Sequence, residues 1–412
     1  MSGGSAPPKI PRPERAPRTI SPLVDRLWRE LARHDELGAR AEDTARVVAG
    51  FWSSLERTPV IESVRGAPDE RIVTFLWRDA EAEQVLLFVN RLTDERNLSD
   101  SLMRRVPGTD VWHLSYRMRA DWRASYAFLV RAAGAPAPWT DGLDQVSVRA
   151  ALDRGLVDPG NPIVSPNRAG VAQSVVALPD APADAWLRPR DVARGRVVER
   201  AGPDDRTVWV YEPPGVPPLP LPIVVALDGE AWAGGEGLPT TVDNLLADGR
   251  MRPALVVMPD SGGRQRRWRE MGDGGAAVSW VADVLLPWVR SRYPASPDAA
   301  DVVLAGQSLG ALTALRLALT RPDAVGAALS QSASLWQDDL TAAMSGRDLT
   351  CVRAYVEVGA QEWVLREPNR AFAARLAGAG ARVRFVEYNG GHDHACWRVG
   401  IAHGLQSLLP PR

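Results

Sequence analysis

The pentapeptide GQSLG at residues 306–310 is the stretch of this chain most suited to chemistry. A serine hydroxyl is a weak nucleophile near neutral pH, so a catalytic serine needs an adjacent base and an exposed oxygen. Flanking glycines permit a tight turn between a strand and a helix, which presents the serine at its tip. The apolar run 302–305 precedes the motif, and leucines at helical spacing follow it. We therefore predict that Ser308 is a nucleophile; the alternative is an ordinary serine in a glycine-flanked turn.

A base for this serine must come from the histidines, of which the chain has five: His34, His113, His392, His394 and His403. In α/β-hydrolases the serine is followed along the chain by the acid and then by the histidine, which leaves the last three. His392 follows a predicted strand at 383–387 and a short loop, the place where this fold carries its base. His394 is the competitor, while His403 lies inside a predicted helix at 397–409 and is expected to pack or lie at the surface.

The acid that orients the imidazole is expected at the end of the predicted strand 352–358. Glu362 is best placed, and Glu367 is the alternative. Asp393 adjoins the predicted base in sequence and is poorly placed to reach its ring. The sequence thus predicts a Ser-His-Glu triad, with the choice between the two glutamates left open.

Hydrolysis through a tetrahedral intermediate also requires two backbone N–H groups aimed at the developing oxyanion. The residue after the nucleophile, Leu309, supplies one of them. The second is expected from the loop that follows a predicted strand at 223–227, with Gly229 or Glu230 as the donor.

The elements that must position these residues alternate between apolar runs and helical stretches from residue 197 onward. Predicted buried strands lie at 223–227, 255–258, 302–305, 324–329, 352–358 and 383–387, and predicted helices at 278–290 and 312–319. This alternation is typical of a parallel sheet covered by helices on both faces. We predict an α/β-hydrolase domain over 190–412.

The N-terminal part of the chain has a different residue pattern. Short alternating strands at 71–78, 85–90, 112–118 and 126–130, without long helices between them, indicate an antiparallel β-sandwich of immunoglobulin-like type over 57–157. The remaining predicted segments are a disordered tail (1–20), a helical segment (21–56) and an ordered linker (158–189).

Composition excludes several classes of protein. The formal net charge is −1, from 49 basic and 50 acidic residues, which argues against bulk nucleic-acid binding. Two cysteines, Cys351 and Cys396, are too few for a disulfide framework. The N-terminus lacks a secretory apolar core, and no run approaches a membrane span, so we expect a soluble cytoplasmic protein. The sequence shows no residue spacing typical of a metal site. The oligomeric state of the protein stays open.

The residues resemble a known family, the enterochelin (iron–enterobactin) esterases of the esterase D-like α/β-hydrolases. The segments LDGEAW, GQSLG, LSQSASLW and GGHDHACWR carry the resemblance in the second half of the chain, and ADWRASYAF and DPGNP carry it in the first. The resemblance implies a sandwich domain before the hydrolase domain, a cytoplasmic location in iron metabolism, and Ser308, His392 and Glu362 as the triad. It also implies hydrolysis of the ester bonds of a tris-catecholate siderophore.

A ferric tris-catecholate is a bulky aromatic anion, so its site should offer arginine for charge and tryptophan for ring faces. The predicted substrate-binding residues are Arg123, Trp232, Arg267, Glu270 and Trp336. The segment around Arg267 is richer in arginine than the family pattern, which leaves the individual siderophore open. No cofactor is expected, because iron enters with the substrate. Two other functions stay open: an esterase or acyltransferase acting on another ester, and a catalytically silent siderophore-binding protein.

Overall fold

The structure of the chain is a computed structural model. It describes residues 8, 10–36, 40–139, 145–167, 170–215, 220–234, 237–272 and 275–411. The chain divides into two compact units: one is formed by Met1–Arg12, Ala183–Tyr388 and Cys396–Arg412, and the other by Pro13–Pro182 with Asn389–Ala395. The short segment that carries His392 is therefore counted with the N-terminal unit.

The C-terminal unit contains a mixed eight-stranded sheet with the order β16-β15-β14-β13-β11-β12-β10-β9. Its strands are β9 (Arg196–Ala201), β10 (Thr207–Glu212), β11 (Ile223–Ala226), β12 (Leu255–Pro259), β13 (Val302–Gln307), β14 (Ala327–Gln331), β15 (Arg353–Gly359) and β16 (Arg382–Tyr388). The six strands from β11 onward pair in parallel, as predicted. The antiparallel strands β9 and β10 at one edge were not predicted.

Helices follow the parallel strands along the chain. They are α4 (Leu238–Ala247), α5 (Gly263–Met271), α6 (Ala276–Ser279), α7 (Leu286–Arg290), α8 (Leu309–Thr320), α9 (Thr341–Met344), α10 (Arg366–Gly378) and α11 (His394–Leu408). A π-helical stretch, Trp280–Leu285, joins α6 to α7. Successive residues of β11 enter different apolar clusters, Ile223 and Val225 in one, Val224 and Ala226 in the other. Both faces of the sheet are thus buried at its central strands, which explains the continuous apolar runs of β11 and β12.

The N-terminal unit contains two antiparallel four-stranded sheets, with the orders β1-β2-β5-β4 and β3-β6-β8-β7. The strands are β1 (Val60–Val64), β2 (Ala67–Arg78), β3 (Ala82–Val89), β4 (Arg104–Arg105), β5 (Val111–Arg119), β6 (Arg123–Ala132), β7 (Val164–Pro166) and β8 (Ala172–Ala177). Phe75 of β2 and Tyr126 of β6 pack edge to face with centroids 4.9 Å apart, inside one shared apolar core. The predicted sandwich is therefore present.

Within the described ranges of this unit, three helices accompany the sandwich: α1 (Pro22–Glu36), α2 (Ala41–Ser53) and α3 (Gln145–Leu152). The first two agree with the predicted helical segment. They bury an apolar face, which includes Leu27 and Phe51, in a cluster with Leu76 and Val111 of the first sheet. The short helix α3 was not predicted.

Two predicted segments outside the sandwich, the linker and the tail, contribute residues to its sheets. Part of the predicted linker 158–189 forms β7 and β8, because β8 pairs with β6 and completes the second sheet. In the predicted disordered tail, most of residues 1–9 lie outside the described part of the chain, but Pro17 and Thr19 exchange backbone hydrogen bonds with β5. These partners are distant in sequence, so local composition did not reveal them.

Among the helices of the described residues, none combines the length and the apolar character that crossing a bilayer requires.

Candidate active site

Ser308 lies at a sharp turn between β13 and α8. Its backbone angles, φ 59° and ψ −113°, are unusual for a residue with a side chain and are typical of a strained nucleophile turn. The preceding strand and the following helix approach so closely that a Cβ on Gly306 would lie 2.3 Å from the carbonyl carbon of Gly310. Glycine at 306 is therefore a steric requirement. The strand-turn-helix context predicted for this serine is present.

Backbone contacts fix the orientation of this turn. The N–H of Ser308 donates to the carbonyl oxygen of Gln331 on the neighbouring strand at 3.0 Å. The Ser308 hydroxyl lies 3.2 Å from that of Ser334, a hydrogen-bond distance. Its side chain is partly exposed, while both residues next to it are buried. The hydroxyl is thus held at the end of the parallel strands, the usual ligand-binding edge of an α/β sheet.

The loop after β11, residues 228–232, is the predicted source of the second oxyanion donor. A Cβ on Gly229 would lie 2.3 Å from the carbonyl oxygen of Met258, so only glycine fits there. Glu230 accepts hydrogen bonds from the backbone N–H and the hydroxyl of Ser261. The Trp232 indole donates to Gln307 Oε1 at 3.3 Å. The side chains of Glu230 and Trp232 therefore anchor the loop just after Gly229.

Glu362 and Glu367 occupy very different environments. Glu362 is 1% exposed, and its Oε2 accepts from the Ser332 hydroxyl at 2.6 Å and from the Gly359 N–H at 2.7 Å. The side chain of Glu367 is 68% exposed and pairs with Arg370 on the same helix. A carboxylate that orients an imidazole must itself be held in place, and only Glu362 meets this condition.

The segment carrying His392 is bound to the edge of β6. The Arg123 N–H donates to the Asn389 carbonyl oxygen at 3.1 Å, and the Ser125 N–H donates to Asp393 Oδ2 at 2.6 Å. These two N–H groups lie just beyond the end of β3, the neighbouring strand, so residues of the segment take the place of a strand partner. Asp393 is buried, and its two carboxylate oxygens accept from the backbone N–H groups of Ser125 and Ala395.

Side chains of the same unit also hold this segment. The Asn90 amide donates to the carbonyl oxygen of His392 at 3.1 Å, and the Asn389 amide donates to Asp121 Oδ1 at 2.6 Å. His394 begins α11. His403 lies within that helix, its ring packed edge-on against Trp186 with centroids 5.7 Å apart, in agreement with the predicted packing role. Burial lowers the pKa of His403.

The predicted substrate-binding residues are mostly buried. Trp232 is 1% exposed within an apolar core. Arg123 is 5% exposed and donates to the Pro182 carbonyl oxygen. The surroundings that bury these two residues come from distant segments, and their role as ligand contacts stays a prediction.

Two further predicted ligand contacts lie on α5 and are engaged in ion pairs. Arg267 is 3% exposed, and its guanidinium is directed at Asp228 rather than at solvent. Glu270 accepts from Arg206 and Arg266 and so belongs to an ion-pair cluster. The half-buried Trp336, in the segment after β14, stays a predicted ligand contact.

A buried chain of polar side chains under the Ser308 turn was missed by sequence reasoning. Gln307 Nε2 donates to Gln331 Oε1 at 2.7 Å, and Gln331 Nε2 donates to Glu357 Oε1 at 2.6 Å. Tyr355 donates to the other carboxylate oxygen at 3.1 Å. Burial raises the pKa of Glu357 to about 8. Polar residues inside otherwise apolar strands were the available signal, since buried polar groups are normally hydrogen-bonded.

Metal-binding clusters of histidine, cysteine, aspartate or glutamate are absent from the described residues. The side chains described above include a partly exposed serine hydroxyl, Ser308, and a buried carboxylate, Glu362.

Comparison with known proteins places the chain in a family. Residues 72–187 match the family described as "Enterochelin esterase, N-terminal", and residues 200–408 match the one described as "Putative esterase". The iron(III) salmochelin esterase of Escherichia coli O6:H1 is 31% identical over 390 residues, which cover 87% of this chain and 93% of that protein. The chain belongs to the enterochelin esterase family.

Other members of the enterochelin esterase family show the same extent of similarity. The iron(III) enterobactin esterase of Escherichia coli K12 is 29% identical and matches over 82% of this chain and 91% of its own length. The crystal structure of the ferric enterobactin esterase from Salmonella typhimurium superposes with a TM-score of 0.73 at 29% identity, covering 87% of this chain and 98% of that one. An enterobactin esterase from Shigella flexneri, crystallised in the presence of enterobactin, has a TM-score of 0.71 at 27% identity and covers 87% of this chain and 97% of that one.

Proposed function

We propose that this member of the family is a serine esterase that hydrolyses the ester bonds of a ferric tris-catecholate siderophore. The observation that carries the proposal is the strained turn at Ser308, with its hydroxyl at the end of the parallel strands. The names of the relatives support the substrate class, since they are enterobactin and salmochelin esterases of similar length. Iron arrives as part of the substrate, and the cytoplasm is the proposed site of the reaction.

The proposed mechanism assigns one role to each residue of the predicted triad. His392 removes the proton of Ser308 as its Oγ attacks the ester carbonyl carbon. Glu362 accepts the second imidazole N–H and stabilises the imidazolium that forms. The backbone N–H groups of Leu309 and Gly229 donate to the tetrahedral oxyanion.

Collapse of the tetrahedral intermediate breaks the ester C–O bond, and the imidazolium returns its proton to the departing alkoxide. The acyl group is then attached to Ser308. Water attacks this acyl-enzyme with His392 again acting as base, and the carboxylic acid product leaves. Atoms balance with one water consumed for each ester bond cleaved.

The decisive experiment incubates purified full-length protein with ferric enterobactin and follows the linear products by liquid chromatography. Ser308→Ala is expected to lose on the order of 10⁴-fold or more in activity while remaining folded, as triad variants do elsewhere. Full activity in this variant would refute the proposal. Cleavage of p-nitrophenyl acetate without cleavage of a panel of catecholate siderophores would indicate a different ester substrate, and binding without cleavage would indicate a silent binding protein.

A further inference from the structure

A buried ion pair joins α5 to the predicted oxyanion loop. Arg267 Nε lies 2.5 Å from Asp228 Oδ1, and Arg267 Nη2 lies 2.7 Å from Asp228 Oδ2. The two residues are 3% and 8% exposed. This bidentate geometry fixes the carboxylate in both distance and plane, which a lysine could not do.

The same guanidinium also reaches the nucleophile turn. Arg267 Nη2 donates to the carbonyl oxygen of Gln307, the residue before Ser308, at 3.2 Å. One side chain therefore bridges two separate backbone segments, the loop 228–232 and the turn 306–310.

The two residues that Arg267 contacts precede residues of the proposed site: Asp228 precedes Gly229, and Gln307 precedes Ser308. The backbone of Asp228 is left-handed, with φ 60° and ψ 48°. Such a conformation is uncommon for a residue with a side chain and needs support from its surroundings. The carboxylate of Asp228 supplies that support through Arg267. Any shift of Asp228 therefore moves the Gly229 N–H.

We propose that Arg267 and Asp228 are positioning residues of the esterase reaction, whose ion pair holds the Gly229 N–H in register with the Leu309 N–H. This inference rests on the proposed function. Oxyanion donors act only when they are about 2.7–3.1 Å from the developing charge, so a tie between the two donor segments serves the transition state. It differs from the role predicted from the sequence, in which Arg267 binds the anionic substrate.

The two roles give opposite kinetic results. A positioning residue acts on kcat with every ester, including small ones that carry no catecholate. A residue that binds the substrate anion acts mainly on KM, and only for the anionic substrate. Arg267→Lys separates the roles further, because it retains the charge and removes the bidentate geometry.

The experiment compares full-length wild-type protein with Arg267→Lys, Arg267→Met, Asp228→Asn and the double variant Arg267→Met/Asp228→Asn. Arg269→Met, at an exposed position of the same helix, is the matched control. The kcat and KM values are measured on p-nitrophenyl acetate and on ferric enterobactin, with thermal melts to establish the folded fraction.

The expected result is a fall in kcat of about 10- to 100-fold for each single variant on both substrates, with little change in KM, as for a donor displaced by about 1 Å. The kcat of the double variant should be no lower than that of the less active single variant, since both substitutions remove the same ion pair. Arg269→Met should match the wild type.

Three outcomes would overturn the inference. They are a wild-type kcat in Arg267→Lys, a raised KM for ferric enterobactin alone, or a lowered melting temperature with kcat per folded molecule unchanged. If wild-type protein cleaves neither ester, the proposed function is itself wrong and the inference falls with it. An active wild type beside unaffected variants overturns only the inference.

Discussion

The Ser332 hydroxyl donates to Glu362 Oε2 at 2.6 Å, and in turn accepts a hydrogen bond from the Trp397 indole at 3.0 Å. Ser332 is fully buried and has a left-handed backbone, with φ 57°. The strained backbone places its side chain between the indole and the carboxylate. Ser332 therefore sets the position of the proposed triad acid.

Replacing Ser332 by alanine should lower kcat by about 10- to 100-fold without a matching change in KM, because it removes a hydrogen bond to a buried carboxylate. Steady-state kinetics on p-nitrophenyl acetate test this expectation. Ser330→Ala is the matched control: that serine is equally buried on β14, and its hydroxyl has no hydrogen-bond partner among the described residues. Equal losses in the two variants would mean a general packing effect.

Glu362→Gln should lower kcat by about 10³- to 10⁴-fold, since the neutral amide neither stabilises the imidazolium nor fixes its tautomer. Glu367→Gln should leave kcat unchanged, because its carboxylate is solvated. Parallel kinetics on the two variants decide between the acids. If Glu362→Gln kept wild-type kcat and Glu367→Gln lost it, Glu367 would be the triad acid.

A strand can be predicted from the sequence when its own residues carry a recognisable pattern. The Ser308 turn and the six parallel strands were predicted mainly from continuous apolar runs such as those of β11 and β12, whereas β16 mixes apolar with charged residues and is only half-buried. Strand β9 was missed, since its residues are largely exposed and give no such pattern. Strands β7 and β8 lie among prolines and glycines. β8 is a strand because it pairs with β6, and β7 because it pairs with β8.

The site residues show the same limit. Arginine and glutamate near a catalytic motif suggested ligand contacts, but Arg267 and Glu270 are engaged by partners 39 and 64 residues away in sequence. Spacing alone cannot reveal such partners. Likewise, the sequence does not distinguish Glu362 from Glu367 as the acid. The two differ in burial and in the hydrogen bond from Ser332, which only Glu362 of the pair accepts.

Among the histidines, His392→Ala should be as damaging as Ser308→Ala, because members of a catalytic unit fail together. His394→Ala and His403→Ala should retain most activity, the latter because its ring packs against Trp186. Rates of p-nitrophenyl acetate hydrolysis by the three variants test this. An inactive His394→Ala beside an active His392→Ala would show that the base lies two residues further along.

The contact of Asp393 with β6 gives a fourth prediction. Its Oδ2 accepts from the Ser125 N–H and its Oδ1 from the Ala395 N–H, so an asparagine loses one of these bonds and directs an amide at an N–H group. Asp393→Asn should lower kcat by about 10-fold through displacement of His392, with KM little changed. Asp69→Asn, at an exposed position of the same unit, is the control; a loss of melting temperature without a loss of kcat would contradict the prediction.

The buried carboxyl of Glu357 predicts how stability depends on pH. It is 1% exposed, and the backbone of α11 approaches it so closely that a Cβ on Gly400 would lie 1.9 Å from Oε1. Burial raises its pKa from 4.5 to about 8, against the opposing effect of hydrogen bonds from Gln331 and Tyr355. The folded protein therefore binds this proton more tightly than the unfolded chain does.

Stability from this proton is fully present below about pH 4.5 and is lost as the pH rises toward about 8. Glu357→Gln removes the titration but keeps a side chain of similar size. The melting temperature of the wild type should thus fall relative to that of Glu357→Gln between pH 5 and 8, by amounts that increase with pH. Thermal melts of both proteins in buffers of equal ionic strength measure this difference, with Glu367→Gln as the exposed control. Parallel pH profiles for wild type and Glu357→Gln would show that Glu357 does not titrate in this range.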